Sequence, residues 1–158
     1  MSRPLQISVI GAGTEDAELT ALAEEVGRLV AEAGARLVCG GLGGVMEAAS
    51  RGAAEAGGEV IGIVPTAATA DANPHVTHPV ATGIGQARNL AVAATGDAVI
   101  AVGGAWGTLS EIAFARRLGR PVVGLATWEL SSAGEEAGIE LAADPAAAVS
   151  TALRLARA

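Results

Sequence analysis

The stretch most able to do chemistry runs from Gly103 to Glu111, GGAWGTLSE, with Arg88 upstream in GIGQARN (residues 83–89). Glycines let backbone approach a ligand closely, and a helix opening after them offers free N–H groups to an anion. An arginine can fix a phosphate, and a glutamate can stabilise positive charge on a sugar or position water. The same residues allow plainer readings. Thr108 followed three residues later by Glu111 has the spacing of a helix capping box, and Arg88 would serve equally as a surface or carboxylate-paired arginine.

Two further glycine clusters repeat the pattern: Gly11, Gly13 and Thr14 after the first apolar run, and Gly40, Gly41, Gly43 and Gly44 after the second. Gly103, Gly104, Gly107 and Thr108 make the third. Each cluster follows a strand-like run and precedes a helix-like one. A dinucleotide fingerprint fits the first cluster poorly: Asp16 occupies the third glycine place, and the second strand ends at Cys39 in glycines rather than at an acidic residue. A single phosphate-bearing ligand fits better than NAD.

The elements that must position these loops alternate. Leu5 to Ile10 reads as a buried strand, and Asp16 to Ala33 carries leucines and valines at helical spacing up to Gly34. Ala35 to Cys39, Glu59 to Val64, Ala98 to Val102 and Pro121 to Leu125 read as further strands. Helices are predicted to about Ala56, over Gln86 to Thr95, from the third glycine loop to Gly119, and from Asp144-Pro145 onward. Residues 66–83 are looser, and residues 126–143 carry no clear period. This order predicts an α/β, Rossmann-like three-layer sandwich with a mostly parallel sheet, as one domain spanning residues 1–158. The glycine loops would then share the carboxyl edge of the sheet, where ligands bind.

Composition narrows the chemistry. All ten basic residues are arginines, so a phosphate-loop lysine and Schiff-base chemistry are excluded. A net charge of −7 and only three aromatic residues argue against a nucleic-acid partner. The mean hydropathy is +0.44, yet no apolar run approaches the roughly 20 residues of a membrane span, and no signal-peptide layout precedes Gly11. A cytoplasmic protein without membrane association is expected. His75 and His78 are three apart with Asp71 nearby, a possible metal spacing, but no helix and no fourth ligand are evident there, so no metal site is assigned. Cys39 reads as a small core residue, and Ser110 as a first-turn helix residue. Trp106 suits a ligand ring, an interface or the core equally.

The residues quoted carry a family resemblance. Gly40 to Met46 together with Gly104 to Glu111 resembles the Lonely Guy (lysine-decarboxylase-like) superfamily, whose GG-x-GT-x-x-E motif follows an upstream arginine. That resemblance implies cleavage of the N-glycosidic bond of nucleoside 5′-monophosphates, with Arg88 and Glu111 as catalytic pair. Over nearly the whole chain, Gly40 to Gly52, Thr82 to Asn89, Asp97 to Gly104 and Gly119 to Gly124 are more similar to the small branch of molybdenum cofactor carrier-like proteins. This branch implies binding of a phosphorylated cofactor without hydrolysis. Ala105 and Trp106 replace the glycine-rich centre of the hydrolase loop, which favours binding. The leading expectation is a binder of a nucleotide-like or pterin-like phosphate, with no tightly held cofactor and with a molybdenum cofactor or nucleotide as candidate ligand. A phosphoribohydrolase is the alternative. The small residues of Val45 to Ala56 and of Leu90 to Ala94, with the resemblance, imply a homodimer or homotetramer.

Overall fold

Alternation within the first strand decides which layer each neighbour joins. In β1 (Gln6–Gly11), Ile7 and Val9 point into one core while Ile10 points into the other. The computed structural model describes residues 2–158. After β1 come α1 (Ala17–Glu32), β2 (Arg36–Cys39), α2 (Val45–Glu55), β3 (Val60–Val64) and β4 (His78–Ala81). Then follow α3 (Arg88–Thr95), β5 (Ala98–Val102), α4 (Trp106–Arg117) and β6 (Val122–Leu125). A hairpin of β7 (Ser131–Ser132) and β8 (Glu135–Glu136), then β9 (Glu140–Leu141) and α5 (Pro145–Arg157), complete the chain.

Seven strands form one sheet in the order β4-β3-β2-β1-β5-β6-β9, and every pairing in it is parallel. α1, α2 and α5 cover one face, and α3 and α4 cover the other. This is the expected Rossmann-like three-layer sandwich. The chain turns back at β1, so the crevice outside β1 and β5 is the topological switch point. Besides the β7–β8 hairpin, two strands of the sheet were not assigned from the sequence, although His78-Pro79 reads as an edge strand or loop. β4 is a four-residue edge strand through Pro79, exposed at every position, and β9 is only two residues long. Neither has the apolar run or the alternation that marks a strand. Asp144 and Pro145 start α5 as read, with the Asp144 carboxylate accepting from the Ala147 amide at 2.8 Å.

The small residues of α2 are used inside the chain. Gly27 of α1 faces the Ala49 carbonyl, and Gly52 of α2 faces the Glu24 carbonyl, each so closely that a Cβ would overlap the facing oxygen. Ala48, Ala49, Gly52 and Ala53 are all buried. The face of α2 that suggested self-association therefore serves α1 of the same chain.

Candidate functional site

Charged and polar side chains are scarce in the interior. Among the described residues, the buried ones are Ser8, Ser50, Arg88, Asn89, Thr108 and Glu111. Four of these six, Arg88, Asn89, Thr108 and Glu111, line a single cleft of about 250 Å³ at the carboxyl edge of the sheet. Gly11, Ala12 and Gly13 wall it from β1, Leu42 and Met46 from the start of α2, and Ala105 and Gly107 from the start of α4. A larger hollow of about 320 Å³ beside β7 and β8 contains none of the six, so the cleft is the better candidate.

The third glycine loop is not built as a capping box. The N-cap of α4 is Ala105, no side chain caps the helix, and Thr108 is already its third residue. Thr108 and Glu111, three apart, share one helical face, and that face is turned into the cleft. Thr108 is 2% exposed and its Oγ1 has no hydrogen-bond partner among the described residues. Glu111 is equally withdrawn from water: burial pushes its carboxyl up to about 8, with the Arg88 charge pulling the other way.

Arg88 is neither a surface arginine nor paired with a carboxylate. It is 4% exposed at the first position of α3, and no ion pair to it exists among the described residues. Nη2 donates to the Gly40 carbonyl at 3.3 Å, and Nη1 donates to Asn89 Oδ1. Nε is buried with no acceptor among the described residues. Burial lowers the guanidinium's pKa, with Glu111 opposing.

The glycines divide into two groups. Gly41 (φ 75°), Gly44 (φ 61°) and Gly103 (φ 63°) occupy left-handed backbone. A Cβ on Gly11 would strike Val45 Cγ1 at 2.5 Å, one on Gly40 would strike Met46 Sδ at 2.7 Å, and one on Gly104 would strike Trp128 Cδ1 at 2.6 Å. These six hold the frame. Around Gly13, Gly43 and Gly107 there is room, the nearest atoms lying at 3.5, 3.5 and 3.8 Å. Their lack of a side chain is not explained by packing.

The three helix starts are also unequal. At α1 the Asp16 carboxylate accepts from the Glu18 and Leu19 amides at 3.0 and 3.1 Å, and Thr14 is exposed outside the cleft. α2 and α4 carry no side-chain cap, and the Val45 amide donates to the Ala12 carbonyl at 3.0 Å, tying the first loop to the second. Asn89 and Gln86 complete the cleft and were not singled out from the sequence. Asn89 accepts from Arg88 and donates to Ser110 Oγ at 3.2 Å. Its adjacency to Arg88 is the only signal the sequence offered.

The other candidates lie apart. His78 Nε2 is 3.8 Å from Glu59 Oε1 on the β4 edge, and no group of three metal-ligating residues occurs among the described residues. Cys39 is fully buried against Ser50 Oγ at 3.4 Å, and burial raises its thiol pKa, which suits a core residue. Among the described residues, no helix is long and apolar enough to cross a membrane.

The chain as a whole is similar to known proteins in sequence and fold. The chain is 46% identical over 121 residues to an uncharacterized protein of Archaeoglobus fulgidus, covering 77% of this chain and 80% of that one. The molybdenum cofactor binding protein of Rippkaea orientalis superposes with a TM-score of 0.89 at 32% identity, over 98% of this chain and 99% of that chain. The molybdenum cofactor carrier protein of Chlamydomonas reinhardtii does so with a TM-score of 0.85 at 32% identity, over 99% and 100%. These neighbours bear out the likeness to the carrier branch. The pattern of one family runs through residues 4–149, from the first strand to the last helix and across every loop of the cleft: the chain belongs to the SLOG cluster4 family.

Proposed function

We propose that the cleft binds the phosphate of a small nucleotide-like or pterin-like ligand, as a molybdenum cofactor carrier-like protein. One observation carries this reading: of the four buried side-chain donors without an acceptor among the described residues, Arg88 Nε, Thr108 Oγ1, Arg120 Nε and Trp128 Nε1, the first two belong to residues that line the same cleft. An unpaired buried donor costs about 1–3 kcal/mol, so two on one cleft mark a place for an oxyanion. The uncapped start of α4 adds backbone N–H groups and the favourable end of its dipole. The neighbours named as cofactor binding and carrier proteins support it.

Glu111 fits this role better as an acid than as an anion. With its carboxyl pushed up to about 8, it is largely neutral at pH 7, and an incoming phosphate favours the proton further. A neutral carboxyl donates a hydrogen bond to the ligand but does little to stabilise a sugar cation. The hydrolase reading rests on Arg88 and Glu111 sharing the cleft without pairing, which leaves both free for a substrate. Molybdenum cofactor would be cargo here, and the two orphaned donors fit its phosphate end.

Calorimetry at pH 7 with inorganic phosphate, ribose 5-phosphate and AMP tests the proposal. Binding heat and a raised melting temperature with the phosphate monoesters are expected; no heat with any of the three overturns it. Release of free adenine and ribose 5-phosphate from AMP would replace carrier with hydrolase.

Gly107 provides a second check. Gly107→Ala meets nothing closer than Asn89 Nδ2 at 3.8 Å and adds helix propensity, so stability should rise by about 0.5 kcal/mol. Its methyl group would stand in the cleft beside Asn89, and AMP affinity should fall about tenfold. Unchanged affinity in thermal titrations would remove Gly107 from the site.

A further inference from the structure

Ser110 is the fifth residue of α4, half-buried and outside the cleft. Its hydroxyl donates to the Gly107 carbonyl at 2.6 Å, which commits the one proton a serine has. Toward α3 its oxygen can then only accept, and Asn89 Nδ2 donates to it at 3.2 Å. That bond sets which way the Asn89 amide faces. With Nδ2 on Ser110, Oδ1 is presented to Arg88 and accepts from Nη1. The Gly40 carbonyl accepts from Nη2 at 3.3 Å, so the guanidinium is held at both ends by neutral oxygens, one from α3 and one from the second glycine loop.

We propose that Ser110 and Asn89 are positioning residues for this arginine: Ser110 orients the Asn89 amide, and Asn89 holds Arg88 without neutralising it, which makes the cleft selective for an anion. This rests on the phosphate reading above and goes beyond it to a residue that does not line the cleft. The neutrality of the two acceptors is the decisive point. Arg88 has no ion pair among the described residues, not even with Glu111 in the same cleft, so its charge is left for a ligand. An aspartate in place of Asn89 would have nearly the same shape but would pair with the guanidinium, and a buried arginine–carboxylate pair has little attraction left for a further anion. It would also present Ser110 with no N–H. The amide is the group that meets both demands, accepting from Arg88 at one end and donating to Ser110 at the other.

Calorimetric titration of ribose 5-phosphate and AMP into the wild-type protein, Ser110→Ala, Ser110→Thr and Asn89→Asp tests the relay, with a melting curve for each protein. Ser110→Ala removes the acceptor that orients the amide, and affinity for both ligands should fall about fivefold, the worth of one neutral hydrogen bond. Alanine favours a helix more than serine does, so the melting temperature should hold or rise while affinity falls. Ser110→Thr keeps the hydroxyl, and a helical threonine readily bonds a carbonyl one turn back, so affinity should return to within about twofold of wild type. Asn89→Asp should lower affinity by roughly thirtyfold or more, because the anchor's charge is then paired inside the protein. Unchanged affinity in Ser110→Ala, a loss that Ser110→Thr does not restore, or a loss matched by a lower melting temperature overturns the relay while leaving the phosphate cleft standing. Wild-type affinity in a folded Asn89→Asp does the same; if that variant does not fold, the two Ser110 variants decide alone. No binding of either ligand to the wild type overturns cleft and relay together.

Discussion

Arg88→Ala should lower the affinity for AMP by at least a hundredfold. The lost group is a buried charge with one N–H that has no protein acceptor, so its bonds to the ligand replace no existing pairing. Hydrogen bonds to charged groups are worth about 1.5–3 kcal/mol each, and the charge itself acts through a cleft largely withdrawn from water. Arg88→Lys should recover only a small part. A lysine keeps the charge but cannot at once reach the Gly40 carbonyl, Asn89 Oδ1 and a ligand oxygen from one planar group. Calorimetry on both variants checks this, with melting curves to normalise for the folded fraction. AMP affinity within threefold of wild type in Arg88→Ala would remove the anchor from the proposal.

Glu111→Gln should change how stability depends on pH. The carboxyl has an ordinary value of 4.5 and is pushed up to about 8 in the fold by burial. Below pH 4.5 both folded and unfolded chains hold the proton, and the favourable contribution is complete. Between 4.5 and 8 the unfolded chain releases it while the folded chain retains it, so stability falls as pH rises by about 1.4 kcal/mol per unit. The loss levels off above pH 8. Glutamine has no proton to lose, so the variant should match the wild type near pH 5 and exceed it by on the order of 4 kcal/mol at pH 9. Urea unfolding of the two proteins at pH 5, 7 and 9 reads the difference, in which the remaining titrating groups largely cancel. A difference independent of pH would place Glu111 in water instead.

The sheet was legible because its strands are short apolar runs stopped by glycine or proline, as at Ile10, Cys39 and Val64. Arg88, Thr108 and Glu111 were legible as chemistry, but not their setting. The capping-box reading failed because α4 starts at Trp106, two residues before Thr108, in a run with no capping side chain to mark the start. That shift carries Thr108 and Glu111 from the helix end onto its inner face. Asn89 and Gln86 went unnoticed because an amide beside an arginine has no spacing of its own. The glycines misled in the other direction. The letters alone cannot tell Gly44, held in left-handed backbone under the first loop, from Gly107, which has open space around it.

The interlock of Gly27 with Ala49 and Gly52 with Glu24 has a consequence for how such a chain can diverge. Each glycine admits the backbone of the facing helix, so neither position can gain a side chain unless the two helices separate along their whole crossing. A second substitution cannot rescue the first, because the obstructing atom is a main-chain oxygen that every amino acid possesses. Drift in α1 and α2 is therefore confined to their outer faces, where Glu25, Arg28 and Glu32 form exchangeable ion pairs. Lineages of this fold can vary freely in surface charge while their helix pair stays fixed in geometry, and new ligand preferences have to arise at the loop ends rather than by re-angling the helices beneath them.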